Sequence, residues 1–120
     1  MSNLVEIRWH ARGGQGAKTA STLLAESALS AGKYVQGFPE YGPERMGAPI
    51  LAFNRIGDDP ITIHSNVENP DVVIVLDPSL IGAVDVAEGL KDDGVIIINT
   101  ATDPGEVKAK LGTAAKVATV

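Results

Sequence analysis

Two short stretches, residues 72–76 and 94–99, carry continuous apolar runs rich in β-branched side chains, as expected of strands buried on both faces. Strands of that kind need cover above and below. A chain holding two of them is therefore confined to a layered α/β domain with a largely parallel sheet. Residues 4–9 alternate apolar and polar positions and predict a first strand. The run Arg12-Gly13-Gly14-Gln15-Gly16 then breaks the pattern. From Ala17 to about Ala31, small and apolar residues recur three and four apart at Ala20, Leu23, Leu24, Ser27 and Ala28, which predicts a helix able to approach a sheet closely. Gly32 stands where a helix C-terminal glycine belongs.

Further strands are predicted over 34–38 and 48–56, with a turn at Gly57-Asp58-Asp59-Pro60 and a hairpin strand over 61–64. Residues 78–90 read as a helix with Pro78 in its first turn, 104–111 as a second short helix, and 117–120 as the start of a last strand. The expected fold is a three-layer, Rossmann-like α/β domain spanning 1–120, its largely parallel sheet carrying helices on both faces. A last strand so near the chain's end predicts a domain truncated at its C-terminus, or one whose final strand a partner covers.

Composition closes several chemistries. The chain has 120 residues, room for one core. With no cysteine it can form no disulfide, no Cys-ligated zinc site, no iron–sulfur cluster of its own and no thiol nucleophile. Its two histidines, His10 and His64, lack the close spacing of a helical ligand pair, so no metal site is expected. A formal charge of −5 and an aromatic content of 4% argue against nucleic acid or an anionic membrane as partner. Neither an export signal nor a run near the ~20 residues of a membrane span is visible, so a cytoplasmic location is expected.

Two segments are candidate sites. The glycine loop between first strand and first helix brings backbone N–H groups and the positive end of a helix to one place, with Arg12 and Lys18 flanking Gly13, Gly14, Gln15 and Gly16. It fits neither standard phosphate motif fully. Gly14-Gln15-Gly16 begins a dinucleotide fingerprint whose third glycine position is Thr19, and Ala17 precedes Lys18-Thr19 where the Walker pattern needs glycine. A tight turn for close helix–sheet packing explains the same glycines. The second segment, 38–49, is stiffened by prolines and carries Glu40, Tyr41, Glu44 and Arg45, a composition suited to binding with little entropy loss or to an internal Glu–Arg pairing. Asp77 and Asn99-Thr100, each at a strand end, read as ligand-facing groups or as helix caps, the cap being the expected role of Asp77. His10 reads as a hydrogen-bonded histidine at a strand end. Asp92-Asp93-Gly94 with Asn99 does not meet the spacing of a thiamine-diphosphate motif, and no Ser/His/Asp triad assembles.

The run 6–17, Glu-Ile-Arg-Trp-His-Ala-Arg-Gly-Gly-Gln-Gly-Ala, resembles the opening of gamma subunits of 2-oxoacid:ferredoxin oxidoreductases, with Ala11 where that family usually has glycine. The loop 38–49 is similar to the family's second signature, closer to the pyruvate and branched-chain branch than to the 2-oxoglutarate branch. Residues 69–73 and 75–78 continue the likeness in register. The resemblance implies a gamma component of a complex that oxidatively decarboxylates a 2-oxoacid, with pyruvate expected, to an acyl-CoA such as acetyl-CoA while reducing ferredoxin. It implies alpha, beta and delta subunits as partners, with thiamine diphosphate, Mg²⁺ and [4Fe–4S] clusters held by them and CoA as co-substrate. Residues Arg12 to Gly16 with Lys18 would then form a CoA phosphate loop, and Glu40, Tyr41 and Arg45 a CoA or interface loop. A stand-alone Rossmann-like nucleotide-binding module and a purely architectural subunit are the other readings. Family gamma chains run longer, in keeping with the expected truncation.

Overall fold

The computed structural model describes residues 4–39 and 48–120. In chain order the elements are β1 (Val5–Arg12), α1 (Ala17–Ser30), β2 (Tyr34–Pro39), β3 (Pro49–Gly57), β4 (Val72–Val75), a 3-10 turn (Pro78–Leu80), β5 (Val95–Ile98), α2 (Pro104–Leu111) and β6 (Lys116–Thr119). Six strands form one sheet in the order β2-β3-β1-β4-β5-β6. β3 runs antiparallel to both its neighbours, while β1, β4, β5 and β6 pair in parallel, so only β3 points against the rest. The expected largely parallel α/β sheet is present. β3 lies between β1 and β2, so the β1–α1–β2 crossover spans a strand instead of joining neighbours.

Alternation along β4 shows why two layers of cover are needed. Val73 and Val75 face a core that includes Leu80, Val86, Ile96, Ile98 and Val107 of α2, whereas Val72 and Ile74 face Ile7, Trp9, Ala20 and Leu24 of α1. The helices thus lie on opposite faces. Val73, Val75, Ile96 and Ile98 are fully buried, each worth about 1.5–3 kcal/mol of transfer free energy.

α1 docks through small residues, with Ala17 and Ser21 buried. Under it, fully buried Asn54 accepts from Trp9 Nε1 at 2.7 Å and donates from Nδ2 to the Ser21 carbonyl at 3.1 Å, tying β1, β3 and α1 together. At its end, Gly32 N–H donates to the Leu29 carbonyl and Lys33 N–H to the Ala28 carbonyl, the glycine-terminated helix stop that the sequence predicts.

Two expected elements are absent. Residues 78–90 form only the 3-10 turn Pro78–Leu80 followed by hydrogen-bonded turns and one isolated bridge between Ile81 and Val84. Buried Arg8 on β1 donates from its guanidinium to the Val86 carbonyl at 3.0 Å and the Glu88 carbonyl at 2.6 Å, and so holds this irregular segment against the sheet. Residues 61–64 are not a strand either. The segment is instead held on the sheet face by side chains: Gln36 Nε2 donates to the Ile63 carbonyl at 2.8 Å, and Arg55, 1% exposed, to the Ser65 carbonyl at 2.6 Å. Arg55 also donates to Glu6 Oε2 at 2.8 Å and Gln36 Oε1 at 3.1 Å, and lies 5.5 Å from the Phe38 ring centroid.

Gly89 shows how tightly the irregular segment is seated. Its φ is +73°, and an added Cβ would sit 2.1 Å from the Glu68 carbonyl oxygen. Gly89→Ala is expected to cost about 3 kcal/mol through backbone strain and overpacking. Gly105→Ala, inside α2 with no such conflict, should stabilise by up to about 1 kcal/mol. Urea unfolding of the two variants checks the opposite signs.

Candidate functional site

From β1 the chain leaves through α1 towards one edge of the sheet, and from β4 onward it builds the other edge, so the carboxyl ends of β1 and β4 flank the point where strand order changes direction. In open α/β sheets that point forms a crevice. The glycine loop fills one side of it and the turn after β4 the other.

In the loop, Gly13 N–H donates to the Ala48 carbonyl at 2.8 Å and Gln15 N–H to the Arg12 carbonyl at 3.2 Å. Gly14 and Gly16 have φ of +88° and +84°, a left-handed backbone in which a side chain is strained. Gly16 is the N-cap of α1, whose first turn holds Lys18 and no acidic residue, and no side chain caps the helix. The Arg12 N–H donates to Gln15 Oε1 at 2.7 Å. Gln15 Nε2 reaches across the crevice to Asp77 Oδ2 at 2.7 Å, and Arg12 Nε donates to Ser79 Oγ at 3.0 Å while lying 3.6 Å from Asp77 Oδ2.

Asp77 caps the 3-10 turn, Oδ1 accepting the Ser79 N–H at 2.9 Å, as its sequence position predicts. Hydrogen bonds from the Ser79 side chain and N–H, then from Gln15, with Arg12 adding a nearby positive charge, hold its carboxyl below the usual carboxylate range. Its partnership with Gln15 lies 62 residues away in sequence, and no motif signals it. Asn99 donates from Nδ2 to the Leu76 carbonyl at 3.2 Å and so joins the ends of β5 and β4. Of the residues singled out from the sequence, Arg12 and Gln15 therefore meet Asp77 and Ser79 at one crevice, Gly13, Gly14 and Gly16 belong to the same loop, and Lys18 stands exposed in the first turn of α1. Glu40, Tyr41 and Arg45 lie outside the described residues. Among the described residues no three His, Cys, Asp or Glu side chains converge as metal ligands, and no helix is long and apolar enough to cross a membrane.

His10 lies beneath the loop and is 6% exposed. Its Nε2 accepts from Arg8 Nε at 2.9 Å, which places the neutral ring's proton on Nδ1. Burial, then the Arg8 charge, pushes its pKa down to about 4. It is a hydrogen-bonded strand histidine, as expected.

Residues 6–120 match the family described as pyruvate ferredoxin/flavodoxin oxidoreductase. The chain belongs to that family. It is 57% identical over 115 residues to a protein named pyruvate synthase subunit PorC from Thermotoga maritima, covering 96% of this chain and 59% of the relative. It is 56% identical over 108 residues to the pyruvate/ketoisovalerate oxidoreductases common subunit gamma of Pyrococcus furiosus, covering 90% of this chain and 58% of that one. The crystal structure of the Thermotoga maritima pyruvate oxidoreductase subunit PORC superposes with a TM-score of 0.83 at 53% identity, over 98% of this chain and 61% of that chain. The chain thus spans about three-fifths of the length of these family members. The fold recurs in a 2-oxoglutarate:ferredoxin oxidoreductase from Magnetococcus marinus, with a TM-score of 0.71 at 15% identity over 95% of this chain and 19% of that one. Family relatives carrying subunit names do not favour the stand-alone nucleotide-binding reading.

The depressed His10 pKa has a consequence for stability. Between pH 6.5, the ordinary value, and about 4, the unfolded chain binds a proton that the folded chain does not. Stability is therefore complete above pH 6.5 and falls by roughly 3 kcal/mol as the pH drops through that window. His10→Gln keeps an acceptor for Arg8 and removes the titration. Its unfolding free energy is expected to change much less between pH 7 and pH 4.5 than that of the wild type, as denaturant titrations at the two pH values will read.

Proposed function

We propose that residues 1–120 form a gamma-type domain of a 2-oxoacid:ferredoxin oxidoreductase of the pyruvate type. The complex oxidatively decarboxylates the 2-oxoacid to an acyl-CoA and reduces ferredoxin. The observation that carries this reading is the 57% identity to a pyruvate synthase PorC subunit over 96% of the chain. In this assignment alpha, beta and delta subunits complete the complex in the cytoplasm, and ferredoxin is its electron acceptor. Thiamine diphosphate, Mg²⁺ and the [4Fe–4S] clusters are assigned to those partners, in keeping with the lack of cysteine in these 120 residues. No catalytic step is assigned to its side chains.

Its own contribution is to assembly and to the approach of CoA. The loop from Arg12 to Lys18 offers a guanidinium, an ammonium and the positive end of a 14-residue helix whose first turn carries no acid, a donor set suited to a CoA phosphate. Glu40, Tyr41 and Arg45 are assigned to the same approach or to a subunit interface. One observation favours an architectural share as well: Leu23 and Leu29 on α1 are 57% and 62% exposed, apolar surface suited to a partner subunit.

Anaerobic purification of the tagged chain from its native host tests the reading. Recovery of a thiamine- and iron-bearing complex that reduces ferredoxin with pyruvate and CoA is expected. Recovery of the folded chain alone would contradict it.

A further inference from the structure

A turn built around two left-handed glycines has little side-chain packing of its own, so hydrogen bonds must set its shape. Two of these pass through one side chain. Gln15 Oε1 accepts the Arg12 N–H, and Gln15 Nε2 donates to Asp77 Oδ2, both at 2.7 Å. A carboxamide accepts at one end and donates at the other, whereas an ionised carboxylate only accepts. Asp77 therefore dictates which way the Gln15 amide faces. With the amide flipped, oxygen would meet oxygen at Asp77 and N–H would meet N–H at Arg12. Asp77 is itself fixed, since Ser79 N–H holds its other oxygen at 2.9 Å and Ser79 Oγ takes Arg12 Nε at 3.0 Å. A helix-capping aspartate needs only the first of those contacts. The second oxygen is committed to the glycine loop.

We infer that Asp77 is a positioning residue for the glycine loop: by orienting Gln15 across the crevice between β1 and β4, it holds the loop and Arg12 in the form that meets CoA. The inference rests on the CoA reading given under Proposed function. It adds a residue 61 positions beyond Gly16, on a different strand end, to the machinery of that site.

The test is steady-state kinetics of the assembled complex with CoA varied at saturating 2-oxoacid and electron acceptor. Asp77→Asn keeps an oxygen for the Ser79 N–H but presents an amide nitrogen to Gln15 Nε2, donor against donor. KM for CoA should rise about tenfold, as expected for the loss of one charge-assisted hydrogen bond, with no matching rise in KM for the 2-oxoacid. The double variant Asp77→Asn/Gln15→Glu reverses donor and acceptor: the carboxylate introduced on the loop accepts from the amide introduced after β4 and from the Arg12 N–H. KM for CoA should return to within about twofold of wild type. Gln15→Ala, which leaves the Ser79 cap intact, should raise KM for CoA by a similar factor, and it carries the test where Asp77→Asn impairs assembly. Asparagine caps as well as aspartate, so a role limited to capping gives no CoA defect in Asp77→Asn, and that result overturns the inference. A defect that the double variant fails to rescue also overturns it, leaving a role for a carboxylate at position 77 itself. Arg12→Gln separates the two levels. If it raises KM for CoA while Asp77→Asn and Gln15→Ala do not, the inference falls and the CoA reading stands. If none of the variants moves KM for CoA, the CoA reading itself falls and the inference with it.

Discussion

A guanidinium inside a protein must find acceptors for its donors or its desolvation outweighs whatever else the site provides, and Arg8 in the middle of β1 finds them in the Val86 and Glu88 carbonyls and in His10. Much else follows from that set of bonds. β1 lies between β3 and β4, so whatever is fixed to it is fixed to both halves of the sheet. On one face Arg8 draws the 81–90 segment down as irregular cover. On the other, Trp9 and Asn54 seat α1. With both faces pinned, the carboxyl end of β1 has a defined position, and the glycine loop begins there.

Function builds on that placement. β1 delivers Arg12 and the loop, β4 delivers Asp77 and Ser79, and the parallel pairing of the two strands brings their carboxyl ends side by side. The loop's donors meet an acid from the neighbouring strand, so the proposed CoA crevice is held in shape by the chain's own hydrogen bonds. Such preorganisation lowers the entropy lost on binding. It also suits a domain that presents a surface to chemistry carried out elsewhere in a complex.

Much of this was legible in the sequence, and the limits have physical causes. Strands with continuous β-branched runs, such as β4 and β5, and a helix with a clear stop, such as α1 at Gly32, announce themselves because local side-chain patterning decides them. The 78–90 segment has helical patterning, but two of its carbonyls are held by Arg8, some 80 residues away, and no local signal reports that contact. Residues 61–64 likewise answer to Gln36 and Arg55 and not to a neighbouring strand. Arg12, Gln15 and the glycines were visible as a candidate anion loop. That Asp77 would grip Gln15 was not, because it depends on β1 and β4 pairing in parallel across a long sequence separation.

The central claim is that the β1–α1 loop of this domain meets CoA within an oxidoreductase complex. Hydrogen exchange of the assembled complex, with and without CoA, addresses it most directly. Slower exchange of the amides from Gly13 to Lys18 on addition of CoA, with the core strands β4 and β5 unaltered, is the predicted result. Identical exchange in this loop with and without saturating CoA would contradict the claim and leave the loop as a packing element of the subunit.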